Sequence, residues 1–310
     1  MNDWTSNTQP ELLHIRTMTA SVPNIAAAEA CYADLLGYRV VESGRIDTAL
    51  ARRWGAPAAA GAAFCTLIPE NEDDVFMRLV EAPIVPEYRP LTSFGWTAFE
   101  FIVDDVYRLA DRLSASPFRH LAGPSPLQFM PSIVAMQVAG PGGECLYFTM
   151  ESGDRNESIL PRPSGFVGRP FIVVVAGNDF DPMLRWYVDH FRLRERPVRQ
   201  SRVPVLQRAQ NLATDHTVSL SAIGMAQHGN LIELDEYPTG EGLIAGPRPR
   251  LDGHLPPGNA IVSFDVSSLA PYTALAHGPA AQSDGVCYGG RPSLVLTGPA
   301  GELIELIETD

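Results

Sequence analysis

Two strand-like runs end on the same four residues. Leu231-Ile232-Glu233-Leu234 and Leu303-Ile304-Glu305-Leu306 both alternate, so each glutamate faces away from the apolar residues flanking it. Two carboxylates brought into one apolar pocket repel each other and lose hydration. At least one then holds its proton near neutrality and can serve as a general acid or base. Three further strand residues carry complementary chemistry: Arg78 can bind a substrate carboxylate or enolate, Tyr147 can donate a hydrogen bond, and Glu100 can act as a base. Among seven histidines, His216 in ATDHTVSL begins a strand expected to adjoin that of Glu233, which makes it a candidate general base or metal ligand. His14 lies three residues before Thr17 and is expected on the opposite strand face.

Composition closes other chemistries. The 310 residues include 23 Lys plus Arg, and all 23 are Arg. Without lysine there is no Schiff base, no phosphate-loop lysine and no lysine general base. A formal net charge of −13 argues against nucleic acid or an anionic membrane as partner. Cys31, Cys65, Cys145 and Cys287 form no CxxC pair, so neither a zinc framework nor a disulfide scaffold is expected; Cys287 falls in a loop, where its thiol is expected to be exposed. The polar start MNDWTSNTQPELLH lacks a signal-peptide order, and no apolar run reaches membrane-spanning length, so a cytoplasmic protein is expected. The Arg-only, Ala- and Pro-rich usage suggests a GC-rich bacterial genome. GxSxG, GxGxxG and HExxH motifs are absent.

The elements that must position these residues repeat. Thr17–Val41 reads as a strand, an Asn24 cap, a helix with Ile25, Ala28, Tyr32 and Leu36 on one face, a Gly37 stop and a second strand. Ile172–Val198 repeats that order, with Tyr187 and Asp189 each 155 residues after Tyr32 and Asp34. Ala98–Leu113 and Ile261–Ala276 both read as strand, polar cap and helix. GPGGECLYFTM (Gly140–Met150) and GPAGELIELIE (Gly298–Glu308) match at an offset of 158. HGNLIELDEYP (His228–Pro238) and VFMRLVEAP (Val75–Pro83) have the same final-strand form. The chain thus divides into four strand-helix-strands units. They pair into domains at 1–150 and 171–310, joined by the Pro- and Gly-rich linker 151–170.

The motifs YADLLGYRV (Tyr32–Val40), FIVDDV (Phe101–Val106), GNLIEL (Gly229–Leu234) and GELIEL (Gly301–Leu306) resemble the vicinal oxygen chelate superfamily of glyoxalases, bleomycin-resistance proteins and extradiol dioxygenases. The resemblance implies an α+β fold of four βαβββ units paired into two glyoxalase-like domains, each a curved mixed sheet forming a cup. It also implies metal ligands on the first and last strand of each unit. Those positions fall near Thr17, Arg78, Ala98 and Tyr147 in the first domain, and near Ile172, Glu233, Ile261 and Glu305 in the second. None is a histidine, so no cofactor is expected and the usual metal site is unsupported; an unusual one would use Glu233, Glu305 and His216. On this reading Glu233 and Glu305 share one cup as the catalytic acid/base pair, assisted by His216. Arg78, Glu100, Tyr147 and Thr17 line the other as substrate-binding residues.

The expected function is then lyase or isomerase chemistry on a small oxygenated, aromatic catabolite. A ligand-sequestering protein of the same fold and a dioxygenase-like metal enzyme are the alternatives. The partners expected are a small molecule and, through open sheet edges, a second copy of the chain.

Overall fold

The computed structural model describes residues 9–309 apart from 129, 157 and 159; the first eight residues, read above for a targeting signal, lie outside the described residues. The first unit comprises β1 (Leu12–Val22), α1 (Ile25–Leu36), β2 (Arg39–Arg45), α2 (Thr48–Arg53), β3 (Ala63–Ile68) and β4 (Phe76–Glu81). The second comprises β5 (Gly95–Val103), α3 (Val106–Leu113), β6 (Arg119–Leu127), β7 (Met130–Ala139) and β8 (Cys145–Glu151). The third comprises β9 (Val167–Gly177), α4 (Phe180–Phe191), β10 (Arg199–Ser201), α5 (Pro204–Gln210), β11 (Val218–Gly224) and β12 (Leu231–Glu236). The fourth comprises β13 (Gly258–Val266), β14 (Ala281–Gln282), β15 (Pro292–Thr297) and β16 (Leu303–Glu308). The last four residues of the 151–170 stretch are therefore already strand.

Local chemistry sets the boundaries. Asn24 caps α1 by accepting from the Ala27 N–H, and Gly37 ends it at φ +77°, a conformation glycine adopts without steric cost. Asp105 caps α3 through the N–H groups of Tyr107 and Arg108. The helix expected in the fourth unit is reduced to a single 3-10 turn at Ala270–Tyr272, after which Ala276 pairs with Leu296.

The four units build two curled eight-stranded sheets, and the pairing of units differs from the expectation. One sheet runs β14-β15-β16-β13-β1-β4-β3-β2 and joins the first unit to the fourth; the other runs β10-β11-β12-β9-β5-β8-β7-β6 and joins the second to the third. The junctions are antiparallel, with Thr17 opposite Ser263 and Glu100 opposite Ile172. One face of each sheet contributes to a common core with α1, α3 and α4, where Met18, Tyr32, Phe99, Phe148, Tyr187 and Phe264 are buried. The other face of each sheet forms a cup.

The repeated motifs hold units together inside each half of the chain. Tyr32 donates to Glu144 Oε1 at 2.9 Å, and Tyr187 donates to Glu302 Oε1 at 2.6 Å. Each glutamate also accepts a backbone N–H two residues upstream, from Gly142 and Ala300. Helix-to-turn clamps therefore link units one to two and three to four, while β-ladders link one to four and two to three. No helix among the described residues is long and apolar enough to cross a membrane.

Candidate functional site

Cup A, between the first and fourth units, gathers its polar groups around one ion pair. On β4, Arg78 sits beside Thr19 of β1 and Thr66 of β3 in register; on β16, Glu305 sits beside Ser263 of β13. Both are sealed, at 2% and 0% exposure. The Arg78 guanidinium donates to Thr19 Oγ1 (3.0 Å), Tyr288 Oη (2.8 Å) and Glu305 Oε2 (3.4 Å). Glu305 also accepts from Trp54 Nε1 (3.0 Å), Tyr288 Oη (2.9 Å) and Ser263 Oγ (2.6 Å). Four donors thus converge on one buried carboxylate, the arrangement that offsets its desolvation. The guanidinium carbon lies 4.6 Å from the Trp54 ring centre and 5.5 Å from that of Tyr288. Burial alone would weaken the Arg78 charge, but Tyr288, Cys287 and Glu305 outweigh it and raise the pKa above the ordinary arginine value. Burial lifts the Tyr288 hydroxyl well above its usual pKa, so it is a neutral donor.

A cleft of about 450 Å³ opens onto this cluster, lined among others by Arg53, Phe64, Thr66, Arg78, Cys287 and Tyr288. Three of the five guanidinium N–H donors of Arg78 are spent within the protein, and two remain on a residue that lines the cleft. The Thr17 and Thr66 hydroxyls stand beside the Cys287 thiol, and Arg53 Nε is buried without a partner. Two rim acids are committed to backbone: Asp47 caps α2, and Glu42 accepts from the Val286 N–H.

Cup C, between the second and third units, is acidic. Glu100, Glu233 and Asp235 all lie on the cup face; Glu100 accepts from Thr149 Oγ1 at 2.6 Å. Burial, less what Thr149 recovers, pushes Glu100 up to about 7. Burial and then Glu100 push Asp235 to about 7, and burial followed by Asp235 and Glu100 holds Glu233 well above the carboxylate range. Tyr147 and Tyr237 complete this face, with apolar Ile172, Val174 and Val205 of α5 around them.

Several sequence expectations are corrected by this partition. Glu233 and Glu305 lie in different sheets, so they are not an acid/base pair. The repeat had suggested sheets within each half, whereas the β1–β13 and β5–β9 ladders cross between halves. For the same reason Arg78 shares its cup with Thr17 and Glu305, while Glu100 and Tyr147 stand in the other. The raised carboxylate expected for Glu233 does occur, with Asp235 and Glu100 as its neighbours. His216 serves neither cup as a base: it lies in the turn before β11, two residues outside Val218, itself four residues (about 13 Å) from Ala222, the partner of Glu233. His14 does reach the cup-A edge, 3.2 Å from Asp265, because β-bulges at Leu12/His14 and Ile15/Thr17 break the alternation. Cys287 is buried at 1% exposure rather than exposed. Trp54, Tyr288 and Ser263 were missed. Ser263 stood two residues from Ile261 on the same face and was within reach of register reasoning; Trp54 and Tyr288 come from a helix end and a loop with no periodic signal. Asp235 was visible as the next alternate residue after Glu233.

The residues present do not suit the fold's usual metal. In cup A a divalent cation would face the Arg78 guanidinium and compete with four donors for Glu305. At the corresponding cup C positions Ala98, Tyr147, Ile172 and Glu233 offer one carboxylate. Among the described residues no group of three His, Cys, Asp or Glu is placed to hold a metal ion, so the set Glu233, Glu305 and His216 is not assembled.

No protein-family model matches the chain, and neither does any curated protein. Solved structures do. Glyoxalase I from Zea mays superposes with a TM-score of 0.62 at 14% identity, covering 95% of this chain and 92% of that one. A Bacillus subtilis protein provisionally described as a dioxygenase gives 0.64 at 12%, covering 96% and 86%. The chain has the vicinal oxygen chelate fold in its two-domain, four-unit form.

Proposed function

We propose that the protein binds a small oxygenated organic molecule in cup A, taking its carboxylate, enolate or phenolate oxygen on Arg78. The observation that carries this reading is a guanidinium 2% exposed, with two unspent donors, at a cleft of about 450 Å³. A cation at this place in the cup does what a bound metal does in other members: it attracts ligand oxygens and stabilises negative charge on them. Arg78 is fixed for that work by Thr19, Tyr288 and Glu305, so little reorganisation is needed on binding. The Phe64 and Tyr288 rings that line the cleft suit a flat, aromatic ligand, and the Thr66 hydroxyl stands at the same wall. The test is calorimetric titration of chelator-treated protein with benzoate, phenylpyruvate and catechol. At least one should bind, and Arg78→Ala should abolish that binding; binding unchanged in the variant would refute the assignment.

One observation favours catalysis of the lyase or isomerase type over sequestration. Tyr288 Oη, at the cleft, lies 2.9 Å from Glu305 Oε1. A ligand proton can pass to Tyr288 as the tyrosine's own proton moves to Glu305, and the reverse movement returns it. A ligand recovered unchanged after incubation would support sequestration. Turnover that Tyr288→Phe abolishes while binding persists would support catalysis.

A further inference from the structure

We infer that cup C is a separate binding site for an organic cation, an ammonium group carried on an apolar body. Three carboxylates from two strands, Glu100 of β5 and Glu233 and Asp235 of β12, share this cup, and no ion pair among the described residues engages any of them. One deeply buried polar atom on the same side lacks a partner, Asp235 Oδ1, on a residue 3% exposed; the fully buried Tyr237 hydroxyl has the Thr97 side chain beside it. An unpaired buried carboxylate oxygen is costly, and native proteins supply a partner for such groups. The nearby arginine, Arg248, is already committed: its guanidinium donates to Ser93 Oγ, Trp96 O, Pro257 O and Asn259 O. Tyr147 and Cys145 of β8 and Tyr237 beyond β12 are buried in the same cluster, where Arg119 acts on Cys145 and Arg248 on Tyr237; β9 contributes Ile172, Val174 and Ala176, and α5 contributes Val205 and Leu206.

An ammonium supplies what these atoms lack. Its N–H groups meet carboxylate oxygens, its charge lies over the faces of Tyr147 and Tyr237, and its carbon body packs on Ile172 and Val174. A metal ion would require convergent ligands that the described residues do not assemble. With the cup empty of cation, the acids carry protons near neutrality, so binding an ammonium releases protons to the buffer.

The test titrates the whole protein with benzylammonium and tetramethylammonium at about pH 8 and about pH 5, using benzyl alcohol and Mn²⁺ as controls. The expected result is saturable binding of an ammonium probe, weaker by tenfold or more at the lower pH. Repetition in two buffers of different ionisation heat should show proton release. Glu233→Gln with Asp235→Asn, checked for folding by circular dichroism, should lose the binding. Arg78→Ala, checked for folding in the same way, should keep it, which separates this site from the cup A reading. The inference is overturned if neither ammonium binds, if benzyl alcohol binds equally, if the double variant binds unchanged, or if Mn²⁺ binds in the ammonium's place.

Discussion

Arg78 and Glu305 show how a charge can be kept in an apolar cup. Neither tolerates burial alone; together, with Thr19, Tyr288, Trp54 and Ser263, they satisfy one another. Removing one partner should therefore cost more than removing both. Arg78→Met is expected to destabilise the protein by about 3–5 kcal/mol in urea titration, and adding Glu305→Leu should recover a large part of that loss. Trp54→Phe takes away one of the four donors to Glu305 and should cost about 1–3 kcal/mol, measured in the same way. Thr17, Arg78 and Glu305 were legible in the sequence because strand alternation fixes which side chains point inward. Their companions Trp54 and Tyr288 were not, since an α2 end and a glycine-flanked loop carry no period that relates them to a strand.

The elements that position these residues are themselves tied by buried acids. Burial, against hydrogen bonds from the backbone and Tyr32, pushes Glu144 up to about 7, and burial raises Glu302 as well. A carboxyl whose pKa rises on folding binds protons more tightly in the folded state. Its contribution to stability is complete below the unfolded value of about 4.3 and is lost as pH rises through about 7. Stability measured by chemical denaturation should fall over that range, and Glu144→Gln, which still accepts from Tyr32, should flatten part of the fall. An unchanged slope would show that the clamp does not titrate. Cap and stop residues made α1 and α3 readable from sequence, and the twin clamps appeared as the repeated Tyr and Gly-Glu motifs. In the fourth unit the apolar helical spacing gives only one 3-10 turn, because the chain is drawn back to the sheet where Ala276 pairs with Leu296.

At the scale of the molecule, the pattern of units was legible but their partnership was not. Strands β1 and β13 are far apart in sequence, and the alternation within each fixes its inward face but not the edge it pairs with. Each half of the chain holds half of each cup: residues 1–150 lack β13 beside β1 and β9 beside β5. Either half expressed alone should expose two unpaired strands and aggregate or dimerise, whereas co-expressed halves should co-purify as one folded species. Two independently soluble, monomeric halves would contradict the interleaved sheets. On the reading proposed above, a guanidinium and not a metal ion receives the ligand in cup A. Its most direct test is a crystal structure of chelator-treated protein soaked with a small aromatic carboxylate that binds in solution. The carboxylate should lie within hydrogen-bond distance of Arg78 in the cleft. A divalent cation needed for binding, held by Glu305 with Arg78 turned away, would contradict it.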